Sequence, residues 1–441
     1  MKRFHKAMSM LRYSFIAMLS AFVLCGQSTA APSPSPSVVE KPQAPETASY
    51  TLSELVTLAL RHTPLLESLG ARAEEKRLSA RQAGSWPSPS VDVEAGRKSE
   101  AGTSGRRYGA SVSQPLPLLG KPGLRGERLN LDVESWQTRQ SASERSVALT
   151  VVQLAYEYAV NRRKAEYAQE RQKRFQLIES YMAGRVFASP QRRTESRIVR
   201  NRLKILSAEA LQSHAAFKAT LEKMRVYLPL GPGSYPVIEV PWLSGNRGLD
   251  QKEWLAKALD RNPDLRIQQL EMKGAQVDRT IAAREGWPDP SFIASYEQAR
   301  TVDTEKNVGM GIGLALPPWN LNRSAVRSAE KKITAEERLL AFQRQEISAE
   351  ISRTLAEYEA SRQVVLTYPK NQMAEQETQL REAEGGFRRG QVDLLTFLEL
   401  DSSAAEAFSS TVESQDNLVS KIADIWRLSG EENLPAQITS F

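Results

Sequence analysis

The chain has 441 residues, 41% hydrophobic and 25% charged. This ordinary balance excludes both a disordered chain and a bundle of membrane-spanning helices. Its formal charge of +7 does not point to nucleic acid. Lys2, Arg3, Lys6 and Arg12 all precede the first acid, Glu40, and the remainder holds 55 basic residues (59 less those four) against 52 acidic ones. With one cysteine, Cys25, no disulfide can form within the chain.

Residues 1–30 read as an export signal: a basic start, an apolar run from Tyr13 to Leu24, and small residues Ser28 and Ala30 that suit cleavage before Ala31. The run is too short to cross a bilayer as a helix. Cys25 admits a second reading, lipid attachment at a mature amino-terminal cysteine, although Phe22, Val23 and Leu24 stand where a lipidation site wants a small residue. No other segment has about 18 consecutive apolar residues, so the exported chain is expected either to be soluble in the periplasm or to insert as a β-barrel. Residues 31–49 carry Pro32, Pro34, Pro36, Pro42 and Pro45 among serines and read as an extended tether.

The rest is duplicated at a spacing of about 200 residues. A first repeat is placed at 50–228, a Pro- and Gly-rich linker at 229–249, a second repeat at 250–430 and a carboxyl-terminal tail at 431–441. Ala59-Leu60-Arg61-His62-Thr63-Pro64 resembles Ala258-Leu259-Asp260-Arg261-Asn262-Pro263, each ending a short helix before a proline suited to the first turn of the next. Trp86-Pro87-Ser88-Pro89-Ser90 is echoed by Trp287-Pro288-Asp289-Pro290-Ser291, and Gln114-Pro115-Leu116-Pro117 by Ala315-Leu316-Pro317-Pro318. The fourth match sets Tyr181-Met182-Ala183-Gly184-Arg185-Val186 beside Phe387-Arg388-Arg389-Gly390-Gln391-Val392.

Each repeat therefore predicts a helix ending at Trp-Pro, a β-hairpin, a very long helix, a glycine turn and a returning helix. The hairpins fall at about 90–115 and 291–316. Val308, Met310, Ile312, Leu314 and Leu316 alternate with small residues, as do Val91, Val93 and Ala95 with Asp92 and Glu94, and Tyr108, Ala110 and Val112 with Gly109, Ser111 and Ser113. Strands of this length suit a bilayer crossing. From Gly123 to Ala183 no proline intervenes, which allows a helix of roughly 90 Å. Narrow apolar seams (Val147, Val151, Leu154, Tyr158; Leu203, Leu206, Ala210, Phe217, Leu221, Met224; Ile347, Ile351, Leu355, Tyr358) predict coiled-coil packing, with a kink at Pro369.

Those duplicated Trp-Pro-x-Pro-Ser starts, the Gln-Pro-Leu-Pro and Leu-Pro-Pro-Trp ends, and Gly-Phe-Arg-Arg-Gly-Gln-Val-Asp-Leu-Leu-Thr-Phe-Leu-Glu-Leu-Asp from Gly386 to Asp401 resemble the TolC family of outer-membrane efflux channels, across roughly Tyr50 to Gly430. The resemblance implies a mainly α chain with a transmembrane β part. In that family a homotrimer joins a barrel of long coiled-coil hairpins to a twelve-stranded β-barrel, four strands from each chain, in the outer membrane and extending into the periplasm. It implies a passive exit duct, with a periplasmic adaptor (membrane fusion protein) and an inner-membrane transporter of RND type as partners. No cofactor, no catalysis and no nucleic-acid partner are expected from the residues themselves. Four strands cannot close a barrel, and open edges are not tolerated in lipid, so the residues on their own also call for several chains.

Trp86, Trp287 and Trp319 sit where strands begin or end on the helical side, either as an aromatic girdle against outer-membrane lipid or as filling between helix and strand layers. Gly184, Arg185, Gly390 and Gln391 fall at the two far turns, where the family meets its adaptor, although glycine there is also what any tight turn needs. Asp393 and Ser189 read as helix caps. The family lines its closed end with acids six and nine positions after the turn glycine. Here those positions are Thr396 and Glu399, so one acid is kept, and an ordinary exposed glutamate is the alternative for it.

Enzyme and metal readings lack their residues. His62 and His214 have no histidine at ligand spacing, and His214 lies on an apolar seam. Gly309-Met310-Gly311-Ile312-Gly313 reads as a strand rather than a dinucleotide loop, and Gly120-Lys121 lacks the rest of a phosphate loop. Two alternatives remain open at this level: the outer-membrane duct of a protein secretion system, and a soluble periplasmic coiled-coil scaffold or adaptor.

Overall fold

The computed structural model describes residues 49–100, 103–183, 190–231, 235–300, 304–314, 322–432 and 434–441. The export signal, the tether up to residue 48, Gly184, Arg185, Ser189 and Trp319 lie outside the described residues. In the first repeat β1 (Ser49–Thr51) leads into α1 (Leu52–His62) and α2 (Pro64–Gly84). The hairpin β2 (Ser90–Glu100) and β3 (Thr103–Pro115) follows, then α3 (Lys121–Ala183) and α4 (Pro190–Arg225). After β4 (Val237–Glu239) the plan recurs with α5 (Gln251–Arg261), α6 (Pro263–Glu285), β5 (Pro290–Arg300) and β6 (Thr304–Leu314). The descending helix is now in two pieces, α7 (Arg323–Thr367) and α8 (Lys370–Arg389), before the returning α9 (Leu394–Ser429) and a short α10 (Leu434–Gln437).

Local chemistry sets these boundaries. Thr51 and Glu54 form a capping box that starts α1. Pro64 and Pro263 occupy the first turns of α2 and α6, where a missing N–H costs nothing. The Asn262 side-chain Oδ1 accepts from the N–H groups of Asp264 and Leu265 at 2.9 and 3.2 Å. Pro369 breaks the long helix outright instead of kinking it: α7 stops at Thr367 and α8 starts again at Lys370, because proline excludes the helical conformation from the residue before it. At the far turn Gly390 adopts φ +76°, and the N–H of Gln391 bonds the Gly386 carbonyl at 2.8 Å.

At about 1.5 Å per residue, the 63 residues of α3 run about 95 Å. Its upper half packs between α2 and α6, with α7 beyond, and its lower half meets α4 and α9, with α8 beyond. Val147, Val151, Leu154, Tyr158, Leu206, Phe217, Leu221, Ile351 and Leu355 are buried along these seams. His214 stacks on Phe217 at 6.2 Å, a packed position. High on the seam the Arg128 guanidinium bridges to Asp278 on α6 at 3.2 Å, in space that Gly274 leaves open, since a Cβ there would lie 2.8 Å from it.

The midlevel is a second layer around the helices. β1 and β4 pair in parallel, and Trp254, Trp426, Tyr358 and Phe441 cluster, with Trp254 and Trp426 centroids 4.9 Å apart. The duplication is written into this layer. Tyr158 and Tyr358, 200 positions apart, are both buried, and each donates its hydroxyl to a carbonyl of the segment between the repeats, Pro236 at 2.9 Å and Arg247 at 2.6 Å. Burial pushes both phenols up to about 12.

Candidate functional site

The two hairpins join edge to edge into one antiparallel sheet in the order β2, β3, β5, β6. Register decides what each face carries, because directly opposed residues share a side. One face is Val91, Val112, Ala294 and Met310 in one row and Val93, Ala110, Tyr296 and Val308 in the next. Ile312, Leu314 and Phe292 extend it toward the helices, and Tyr108 toward the hairpin tips. Apart from the half-buried Ala294, these side chains are exposed in the single chain, Met310 to 80%. The other face is Asp92, Ser111, Ser295 and Gly309, then Glu94, Gly109, Glu297 and Asn307.

The polar face is the concave one. Lys98 on β2 reaches Glu305 on β6 at 2.7 Å, although two strands lie between. Strands are spaced by about 4.8 Å, so a flat sheet would set the two backbones about 14 Å apart. A second pair, Arg107 with Glu297 at 2.7 Å, crosses the same face. Glycine keeps the surface low there: a Cβ at Gly313 would lie 2.6 Å from the Ser291 hydroxyl, and one at Gly309 would lie 2.8 Å from that of Ser295. The sheet thus sets an apolar convex face against a polar concave one.

At the helical end of the sheet, Trp86 and Trp287 are 65% and 63% exposed, just after α2 and α6. The junction beside them is polar and tight. The buried Lys121 ammonium donates to the Trp287 carbonyl at 2.6 Å and pairs with Asp289 at 2.9 Å. Asp289 also accepts from the N–H of Leu118 at 3.1 Å. Leu119 and Gly120 take consecutive left-handed conformations to make this turn. Lys121 thus ties the first repeat to the second.

At the distal end α3, α4, α8 and α9 enclose Phe175, Ile178, Val199, Leu206, Leu380, Phe387, Leu394 and Phe397. Gly390 and Gln391 close this unit and are exposed. Thr396 and Glu399 are exposed on α9. By the 100° step of a helix, Glu399 lies on the face opposite Phe397 and Asp401, beside the 72% exposed Leu395. Thr396 has a local duty as well: its N–H donates to Asp393 at 3.1 Å, and its hydroxyl and N–H hold the Asp393 carboxyl below the usual range.

Sequence reasoning missed the most buried charge of this end. Asp401 is fully buried and accepts from the Arg171 Nε at 2.9 Å and Nη2 at 2.5 Å, with Arg202 at 3.8 Å and Glu209 holding the other side of Arg171. Burial works against the guanidinium charge, yet the hydrogen bond to Asp401 holds its pKa above the ordinary value. The signal was present, because Asp401 falls four residues after Phe397 on the seam of α9. Asp416 on α9 was missed too. Burial, aided by Glu157, pushes its carboxyl up to about 6 against the pull of Lys164 and Lys223.

A curved four-stranded sheet thus stands at one end of a helical shaft about 95 Å long. Residues 254–431 match the family described as "Outer membrane efflux protein". The nickel-cobalt-cadmium resistance protein NccC of Alcaligenes xylosoxydans xylosoxydans is 24% identical over 319 residues, 70% of this chain and 69% of its own length. Among solved structures, CusC superposes with a TM-score of 0.70 at 13% identity, over 86% of this chain and 92% of CusC. The open-state MtrE outer membrane channel of Neisseria gonorrhoeae gives 0.67 at 17%, over 86% and 88%. The fold is thus that of the TolC-like channels. No helix among the described residues is long and apolar enough to cross a membrane.

Proposed function

We propose that three copies of this chain close a twelve-stranded barrel in the outer membrane and continue as one helical conduit through the periplasm, a passive duct for cargo delivered from the inner membrane. The observation that carries this reading is the sheet itself. β2 and β6 each keep one unpaired backbone edge, on a wall whose convex face is apolar, and lipid admits such a wall only when it closes. Trp86 and Trp287, with Trp319 at the same junction in sequence, then meet the inner lipid interface.

The tip formed by Gly184, Arg185, Gly390 and Gln391 is the docking end for a periplasmic adaptor, and an inner-membrane transporter of RND type supplies the energy. Glu399, facing away from its own chain's core, lines the constriction near the threefold axis, with Thr396 one turn earlier. Likeness to NccC favours metal cations as cargo. One experiment tests the whole: the oligomeric mass of the detergent-purified protein, measured with its conductance in planar bilayers. A trimer with ion conductance is expected, and Glu399→Ala should raise that conductance or change its cation preference. A monomer indifferent to detergent would remove the channel, and an unchanged current in the Glu399 variant would remove the gate alone.

A further inference from the structure

The convex face ends in an unexpected row. Arg97 on β2 lies directly opposite Arg106 on β3, and Arg106 lies directly opposite Arg300 on β5. All three share the face of Val93, Tyr296 and Val308, two rows beyond them toward the hairpin tips. Between lies the row of Tyr108 and Lys306. Like charges on directly opposed positions repel, and sheets avoid them unless something neutralises the row.

Nothing among the described residues of this chain does so. The concave-face cations of the same strands, Lys98 and Arg107, each have a carboxylate at 2.7 Å. Arg97, Arg106, Arg300 and Lys306 are exposed, and no carboxylate of the described residues lies within ion-pair distance of any of them. Among the described residues, the concave-face cations are thus paired and the convex-face arginines are not.

We infer that the Arg97, Arg106 and Arg300 row is a docking site for the phosphate groups of a phosphorylated lipid in the outer leaflet. This rests on the barrel reading, which sets the convex face against lipid. The ligand chemistry follows from the donors: three guanidinium forks side by side suit tetrahedral phosphate oxygens bidentately. Position selects a lipid over a free ion. The row continues an apolar band and follows Tyr108 and Tyr296, so acyl chains would cover Val93 and Val308 while the headgroup reaches the arginines.

The test uses the full-length oligomer in detergent and the triple variant Arg97→Gln, Arg106→Gln, Arg300→Gln. Retention of bisphosphorylated lipid A from mixed micelles is read by native mass spectrometry, beside its dephosphorylated analogue. The variant is expected to lose about tenfold in retention of the phosphorylated lipid, and the wild type to prefer that lipid over the analogue. The charge-conserving triple lysine variant should retain part of the binding, and high salt should weaken the wild type whether or not the glutamine variant assembles. Equal retention by wild type and glutamine variant, or equal retention of both lipids, overturns the inference. So does complete displacement by inorganic phosphate, which would mark an ion site. If the barrel reading itself is wrong, the wild-type chain will be absent from the membrane fraction and from detergent oligomers, a failure distinct from an inserted oligomer that ignores phosphate.

Discussion

Two carboxylates on α9 carry opposite consequences of burial. Asp401 is charged and fully enclosed but answered by Arg171 on two atoms. Taking one partner away leaves the other as an uncompensated buried charge, a loss of about 3–5 kcal/mol for such pairs. Asp401→Asn should therefore loosen the four-helix distal end, read as faster amide hydrogen exchange at Phe175 to Met182 with the midlevel unchanged. Asp416 lies half-buried without an adequate cation, and its raised pKa means the fold binds its proton more tightly than the unfolded chain does. The stabilising contribution of the protonated form is complete below the ordinary carboxylate pKa and is lost as pH rises through about 6. The charged form is then a burden at neutral pH, on the order of 1 kcal/mol after allowance for solvent screening. Asp416→Asn should raise the thermal midpoint at pH 8 and give little gain at pH 4. A gain of the same size at both pH values would show that the carboxyl does not titrate with unfolding.

At the scale of elements, the strands carry their faces in their alternation, which is why the hairpins and the long seams were legible in sequence. Val308, Met310 and Ile312 alternate with glycine whatever they pack against, and Val151, Leu154 and Tyr158 keep their spacing in any coiled coil. The break at Pro369 was legible as a kink because proline's local rule is strong, while its severity depended on what α8 meets at the distal end. Contacts between repeats were not legible. Nothing local pairs Lys98 with Glu305, Lys121 with Asp289 or Arg171 with Asp401, since each joins residues more than 160 positions apart. The concave face yields its own test. Among the described strand residues Glu305 and Glu297 are matched by Lys98 and Arg107, and Asp92 and Glu94 have no such partner. Those two carboxylates should enrich cations in the lumen. The double variant Asp92→Asn, Glu94→Gln should shift the reversal potential of bilayer currents under a salt gradient toward lower cation preference, without loss of the oligomer. An unshifted reversal potential would place the selectivity elsewhere.

At the scale of the whole molecule, if three copies close as proposed, neighbouring residues on one strand should have unrelated effects on assembly, because closure gives the two faces different solvents. Met310 and Gly311 are adjacent on β6, which ends the sheet and in the proposed trimer pairs with a sister chain. Met310 is 80% exposed on the convex face, in the row of Val91, Val112 and Ala294. Gly311 is on the concave face, with open space where a Cβ would project. Arginine on a lipid face near the bilayer midplane costs about 2–4 kcal/mol, and a trimer incurs that cost three times. Met310→Arg should therefore deplete the detergent-resistant oligomer recovered from membranes. Gly311→Arg, with a wet lumen before it, should assemble at near wild-type yield and instead lower cation current. Were the hairpins packed against protein in a soluble scaffold, the open site at Gly311 and the exposed site at Met310 would tolerate arginine alike. Equal yields of the two variants would thus count against the barrel, and a deficit confined to Met310→Arg would fix which face meets lipid.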